Sequence, residues 1–238
     1  MRCPPATPLL FGMDDAPITP LAVPSEARTL IVFGGTFDPP HWGHVKPVVE
    51  ARALAGLNDA WLVYVPAARS PHKSIGPVFS DARRVELLRL ATAEIDHAAI
   101  WTDELDRGGG AATYTIDTLR RLRRTRPDAA LRLLIGADQA LALHRWREPG
   151  EIVRLAPPLI MLRGGVESSR DALVAGLQAL GAWSAAELGV LESAIVSVTP
   201  VAASATAIRA ALAGNGLDDA TRAMLPPVVS LALGTSAV

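Results

Sequence analysis

The chain has 238 residues, half of them hydrophobic, a formal net charge of −1 and a pI near 6.5. That supplies one substantial core, so a single folded domain is expected, and the near-neutral charge argues against a surface built for long nucleic acids. One cysteine, Cys3, excludes an internal disulfide and fits a reducing, cytoplasmic setting. No apolar run reaches the roughly 18 residues needed for a membrane span, so no membrane association is expected.

Pro4, Pro5, Pro8, Pro17, Pro20 and Pro24 crowd residues 1–27, with no basic start leading into a sustained apolar region. This stretch reads as a flexible Pro-rich extension ahead of a domain spanning 28–238, and not as a secretion signal. Thr29-Leu30-Ile31-Val32-Phe33 is long and apolar enough for a buried strand, which Gly34-Gly35 ends. A helix is expected to begin near Gly43 and to run through Val45, Val48, Val49 and Leu54, with His44 in its first turn. Ala60–Val65 reads as a second strand, Asp81–Ile95 as a helix capped by Ser80, and Ala98–Trp101 as a short strand. Thr115–Arg124 reads as a helix, Leu131–Ile135 as the strongest strand and Leu159–Leu162 as a later one. Residues 166–194 are mostly helical in pattern, Ala194–Val201 suits another strand, and Ser204 is placed to cap a following helix. Repeated βα alternation predicts an α/β fold, a Rossmann-like doubly wound parallel sheet with a helical C-terminal part. Ligands of such sheets bind at the carboxyl ends of the strands, where Gly34-Gly35 falls.

The segment Gly34-Gly35-Thr36-Phe37-Asp38-Pro39-Pro40-His41-Trp42-Gly43-His44 carries the chemistry. Glycines at a strand end let backbone N–H groups face phosphate oxygens, and two imidazoles three residues apart near a helix start can aim donors at one anion. Neither the lysine-bearing P-loop pattern nor the dinucleotide fingerprint G-x-G-x-x-G is present. A zinc pair would lack partners, because Cys3 is the only cysteine and the H-E-x-x-H spacing is absent. Ser204, Thr206 and Arg209 form a second anion-binding corner at a helix start, although alone such a stretch suits plain capping with a solvated arginine.

The first segment resembles the signature of the H-x-G-H nucleotidyltransferases, in the version found in bacterial nicotinate-nucleotide adenylyltransferases. The resemblance implies that His41 and His44 are catalytic and that Gly34, Gly35, Thr36 and Phe37 lie against ATP. Ser204-Ala205-Thr206-Ala207-Ile208-Arg209 is similar to the family's S-[ST]-T-x-I-R element, which implies that Ser204, Thr206 and Arg209 grip the ATP phosphates and that Arg209 is also catalytic. Ala205 departs from that pattern and loses one hydroxyl. Ser70-Pro71-His72-Lys73 resembles the P-P-H-[KR] loop, with Ser70 departing from it, and implies a catalytic Lys73 near the triphosphate.

Gly136-Ala137-Asp138 with Trp146 eight residues beyond the aspartate matches the family's G-x-D followed by tryptophan, which implies that Gly136 and Asp138 bind ATP and that Trp146 binds the pyridine substrate. An aspartate at a strand's carboxyl end can accept hydrogen bonds from ribose hydroxyls, and an indole can stack on a pyridine ring. Trp42, Trp61, Trp101 and Trp183 are expected to pack. Ala112-Thr113-Tyr114-Thr115 resembles the family's P-S-Y-T segment, placing Tyr114 and Thr115 at the nicotinate carboxylate, and Arg163 resembles the arginine assigned to the mononucleotide phosphate, although Gly164 replaces proline. Glu104-Leu105-Asp106-Arg107 is read as loop scaffolding.

The resemblance implies adenylyl transfer from ATP to nicotinate mononucleotide, with Mg²⁺ arriving on ATP and no metal-ligand residues in the chain. A phosphate monoester is already anionic near neutral pH, so no general base is required and no Ser-His-Asp set is needed. Alternatives are another adenylyl- or cytidylyltransferase, acting on nicotinamide mononucleotide or phosphopantetheine, or a non-catalytic nucleotide sensor. The oligomeric state, a homo-oligomer included, is left open.

Overall fold

The structure, a computed structural model, describes residues 18–68, 76–107, 113–164 and 169–234. Among these, β1 (Thr29–Gly35), β2 (Trp61–Pro66), β3 (Ala98–Ile100), β4 (Ala130–Gly136), β5 (Pro158–Arg163) and β6 (Ile195–Val198) pair in parallel in the order β3-β2-β1-β4-β5-β6. The order reverses direction between β1 and β4. Their shared register stops at Val32 and Leu133, whereas β1 stays paired to β2 through Gly35 and β4 to β5 through Gly136. The two central strands therefore part at their carboxyl ends, and a crevice opens at the topological switch point.

The helices in chain order are α1 (Lys46–Leu54), α2 (Asp81–Thr92), α3 (Asp103–Asp106), α4 (Thr115–Thr125), α5 (Ala137–Ala142) and α6 (Pro149–Leu155). They continue with α7 (Arg170–Ala179), α8 (Ala185–Ser193), α9 (Ala205–Ala213), α10 (Asp219–Ala223) and α11 (Pro227–Gly234). Strand periodicity divides the core. Leu30, Val32, Val63, Val65, Leu133 and Ile135 face one side and pack with Ile116, Leu119 and Leu122 of α4 and Ile152 of α6. Ile31, Phe33, Leu62, Tyr64 and Leu134 face the other and pack with Val48 and Ala51 of α1 and Leu88 of α2. A third cluster joins Val45 and Leu87 to Ile208 of α9 and Val229 and Leu233 of α11. Each such fully buried aliphatic side chain contributes roughly 1.5–3 kcal/mol relative to exposure. Of the tryptophans expected to pack, Trp101 and Trp183 are buried, while Trp61 and Trp42 pack at the margins of the clusters.

Ser80 and Ser204 cap α2 and α9, accepting from the backbone N–H groups of Arg83 and Ala207. Two readings from the sequence change. The first helix does not begin at Gly43: Trp42–His44 is a separate 3-10 turn, and α1 starts at Lys46 with Pro47 in its first turn. Proline lacks an N–H and favours a helix start, so the boundary falls beyond His44, which precedes the helix. Residues 18–27, assigned to a flexible extension, are held against the domain. Thr19 donates from its backbone to Asp103 at 3.0 Å and accepts from the Trp101 indole at 2.8 Å, and Ile18, Leu21 and Val23 pack on the core. Residues 1–17 lie outside the described residues. No described helix is long and apolar enough to cross a membrane.

Candidate active site

The crevice between β1 and β4 holds a cavity of about 420 Å³. Gly34, Gly35, Thr36 and His44 line it from the β1 side, Gly136, Asp138 and Trp146 from the β4 side, and Tyr114, Thr115 and Arg163 also reach it. Sequence positions more than a hundred residues apart thus meet in one chamber because the parallel sheet brings every strand's carboxyl end to the same edge.

The turn after β1 arranges the two histidines. Their rings stack with centroids 3.9 Å apart and planes inclined by 28°. The Gly43 N–H donates to His41 Nδ1 at 3.1 Å, and the His41 N–H donates to His44 Nδ1 at 3.3 Å. These reciprocal bonds close the turn and occupy both Nδ1 atoms as acceptors, which assigns the ring proton of each neutral imidazole to Nε2. Gly43 is required by this packing: a Cβ there would lie 2.9 Å from His41 Cε1 and 3.0 Å from Nδ1. His41 is buried, and burial first, with the Arg163 guanidinium second, lowers its pKa to about 4. At neutral pH it is an uncharged hydrogen-bond donor.

That depression carries a stability signature. The unfolded chain takes up a proton at His41 near pH 6.5 and the folded chain only near 4, so stabilisation is complete above 6.5 and lost as pH falls toward 4. The full linked loss is about 3 kcal/mol. Denaturant unfolding at pH 7.5 and 4.5 is expected to show a smaller acid penalty for His41→Gln than for the unmodified protein; equal penalties would refute the buried neutral state.

Phe37 and Gly35 fit together beneath the turn. The Phe37 side chain is buried and packs edge-on against His44, with centroids 5.2 Å apart, and against Phe33 at 5.8 Å. A Cβ on Gly35 would lie 2.9 Å from the Phe37 ring, so this glycine admits the aromatic prop beneath the histidines. At Gly34 the equivalent space is open. Asp38, buried in the same turn, accepts from the Val78 and Phe79 N–H groups, each at 2.9 Å, and pins the approach to α2. From α2, the fully buried Arg84 donates to the Thr36 carbonyl at 2.6 Å.

Arg209 comes to the outside of this turn, donating to the Asp38 carbonyl at 2.6 Å and to Thr206 Oγ1 at 3.3 Å. Ser204 and Thr206 stand at the start of α9, and neighbouring Ala203 would be 3.9 Å from a Cβ on Gly43. The α9 corner and the histidine turn are therefore adjacent. Among the described residues no group of three or more His, Cys, Asp or Glu side chains is placed to hold a metal ion. Lys73, with Ser70, Pro71 and His72, lies outside the described residues, as does Ala112.

Comparison with known proteins decides the family. A cytidylyltransferase-like family model matches residues 32–211. A protein of Halorhodospira halophila named "Probable nicotinate-nucleotide adenylyltransferase" is 35% identical over 206 residues, covering 85% of this chain and 91% of that protein. One of the same name from Aeromonas hydrophila is 36% identical, with coverages of 84% and 91%. The chain belongs to the nicotinate-nucleotide adenylyltransferase family. A Plasmodium falciparum nicotinic acid mononucleotide adenylyltransferase, solved in complex with NaAD, shares its fold with a TM-score of 0.60 at 15% identity, covering 85% of this chain and 93% of that one.

Sequence reasoning missed several cavity residues. Glu104, read as scaffolding, lines the cavity and accepts from the hydroxyls of Thr113 at 2.5 Å and Thr118 at 2.6 Å. Burial raises its pKa, against the pull of those two hydroxyls. It ties α3 to the Tyr114-Thr115 entrance of α4, so its scaffolding position is also a cavity wall. Arg145 and Arg147 line the cavity as well. Their only signal in the sequence was proximity to Trp146.

Proposed function

We propose that the chain transfers AMP from ATP to nicotinate mononucleotide, forming deamido-NAD and releasing pyrophosphate. The observation that carries this reading is the stacked His41–His44 pair beside a cavity whose far wall is built from Tyr114, Thr115, Asp138 and Trp146. A phosphate-binding end and an aromatic, ribose-binding end share one chamber, which suits a nucleotide whose phosphate must meet another phosphate.

In the reaction, an oxygen of the mononucleotide phosphate forms a bond to the α-phosphorus of ATP. The bond from that phosphorus to the α,β-bridging oxygen breaks, and pyrophosphate departs with the electron pair. The attacking group is already anionic, so the protein's work is alignment and charge stabilisation. His41 and His44 donate from Nε2 to oxygens of the α-phosphoryl group as it becomes crowded. Ser204, Thr206, Arg209 and Lys73 hold the β- and γ-phosphates from the α9 side and from the 70–73 segment, with Gly34, Gly35 and Thr36 offering backbone along the nucleotide. Asp138 accepts from ribose hydroxyls, and Trp146 stacks on the pyridine. Tyr114 and Thr115, at the open end of α4, present backbone N–H groups to the ring carboxylate, and Arg163 faces the mononucleotide phosphate.

Magnesium is proposed to arrive on the triphosphate. The described residues offer no carboxylate cage, and an ion carried by ATP would draw its ligands from phosphate oxygens and water. When bound it supplies Lewis-acid neutralisation of phosphate charge. The reaction belongs to NAD biosynthesis, and a cytoplasmic setting is proposed with it, in keeping with a single cysteine.

Pyrophosphate release with ATP and each pyridine mononucleotide tests the assignment. Nicotinate mononucleotide is expected to be turned over in preference to nicotinamide mononucleotide. Equal or reversed preference would overturn the nicotinate assignment, and nucleotide binding without pyrophosphate release would favour a sensor.

A further inference from the structure

Trp146 is followed by two charged residues whose partners are on α4. Arg120 clasps Glu148 through its two terminal guanidinium nitrogens, Nη1 and Nη2, at 3.0 and 2.6 Å, and Glu148 adopts a left-handed backbone with φ of 52°. That turn throws Arg147 back toward the start of α4. Its guanidinium carbon stands 5.1 Å from the centre of the Tyr114 ring, and its ion pairs are long, 3.5 Å to Asp117 and 3.9 Å to Glu148. Glu148 is already committed to Arg120 at much shorter range. Arg147 also lines the cavity beside Trp146, with its side chain 53% exposed. A half-exposed cation set over an aromatic ring at the cavity wall, with its ion pairs no shorter than 3.5 Å, retains N–H donors for an incoming anion.

We infer that the Arg147 guanidinium, stacked on Tyr114, is a specificity-determining contact for the carboxylate of the substrate's pyridine ring. The inference rests on the proposed reaction. If the pyridine lies on Trp146 with its phosphate toward the histidines, its ring substituent falls between the start of α4 and Arg147. Backbone N–H groups at that helix start serve a carboxylate or the oxygen of an amide. A guanidinium adds attraction that only the carboxylate returns in full, because its two oxygens match the planar fork and carry the charge. Discrimination between nicotinate and nicotinamide is thereby assigned to a side chain of the turn following α5 as well as to backbone at α4.

The test is calorimetric titration of each mononucleotide into the protein, Arg147→Gln and Arg147→Lys, with unfolding midpoints to confirm that the variants fold. Arg147→Gln is expected to weaken nicotinate mononucleotide binding about tenfold and nicotinamide mononucleotide binding by less than about twofold. Arg147→Lys should recover part of the loss, since charge returns without the fork. In turnover the effect should appear in KM for nicotinate mononucleotide, with KM for ATP unchanged. Equal losses for both mononucleotides, or no loss, would overturn the inference while leaving the reaction intact. Failure of the unmodified protein to bind either one would remove the functional reading and the inference together.

Discussion

His44→Ala is expected to lower kcat by about two to three orders of magnitude, the range found when one preorganised donor to a developing oxyanion is removed. His44 lines the cavity, is oriented by the His41 N–H and rests edge-on on Phe37. The substitution deletes a donor aimed by two independent supports. The folding cost should be about 1 kcal/mol, the scale of one lost aromatic contact at a partly buried position. Binding of the mononucleotide should survive, because the contacts assigned to its ring are at the start of α4 and in the Trp146 turn. Steady-state kinetics beside an unfolding curve separates these effects. Turnover within about twofold of the unmodified enzyme would remove the histidine pair from the mechanism.

The second large effect concerns stability. Asp103→Ala is expected to cost about 3–5 kcal/mol, the penalty for stranding a buried charge. Asp103 and Arg121 both have side chains with no solvent exposure and meet through two hydrogen bonds of 2.7 and 2.8 Å, and Asp103 also receives the Thr19 N–H. The pair joins three separate pieces of chain: residues 18–27, α3 and α4. Set against the 5–15 kcal/mol typical of a folded domain, the loss is a large share of the whole. Replacing both partners together, as Asp103→Leu with Arg121→Met, should be milder than Asp103→Ala alone, since the fully buried Arg121 is then not left without its carboxylate and only the longer 3.5 Å pair from Arg107 is lost. Denaturant midpoints at constant slope measure both, and a double variant less stable than the single one would contradict the stranded-charge explanation.

Which parts of the molecule could be read from sequence follows from how each is held. β1, β2, β4 and β5 were legible because strands buried on both faces appear as continuous apolar runs, such as Leu30–Phe33 and Leu62–Val65. α2 and α9 were legible through their serine caps. The start of α1 was misplaced by three residues because His41 and His44 close a turn of their own, an arrangement made by side chain-to-backbone hydrogen bonds that no periodicity reports. α5 and α6, of six and seven residues, are too short to display a helical stripe. The tether of residues 18–27 depends on Asp103, which lies 84 residues from Thr19, so local composition showed only a proline-rich tail.

The candidate site divides along the same line. Gly34, His44, Asp138 and Trp146 were found because glycine, histidine and tryptophan at strand ends are chemically conspicuous, and the sheet does bring them to one cavity. The ring of Phe37, from the same motif, is a buried prop, because an aromatic residue in a motif carries no mark of which way its ring turns. Arg147 and Glu104 were overlooked as cavity-lining residues for the opposite reason. A charged residue in a loop resembles ordinary surface until the fold shows what faces it.

The central claim is direct in-line transfer at the α-phosphorus of ATP, with nicotinate mononucleotide as the nucleophile and no covalent enzyme intermediate. ATP carrying a single-configuration sulfur at the α-phosphorus, reacted with nicotinate mononucleotide, tests it most directly. The predicted product is the thio analogue of deamido-NAD with inverted configuration at that phosphorus. Retention would demand an adenylylated enzyme, and the absence of any dinucleotide would contradict the assigned reaction altogether.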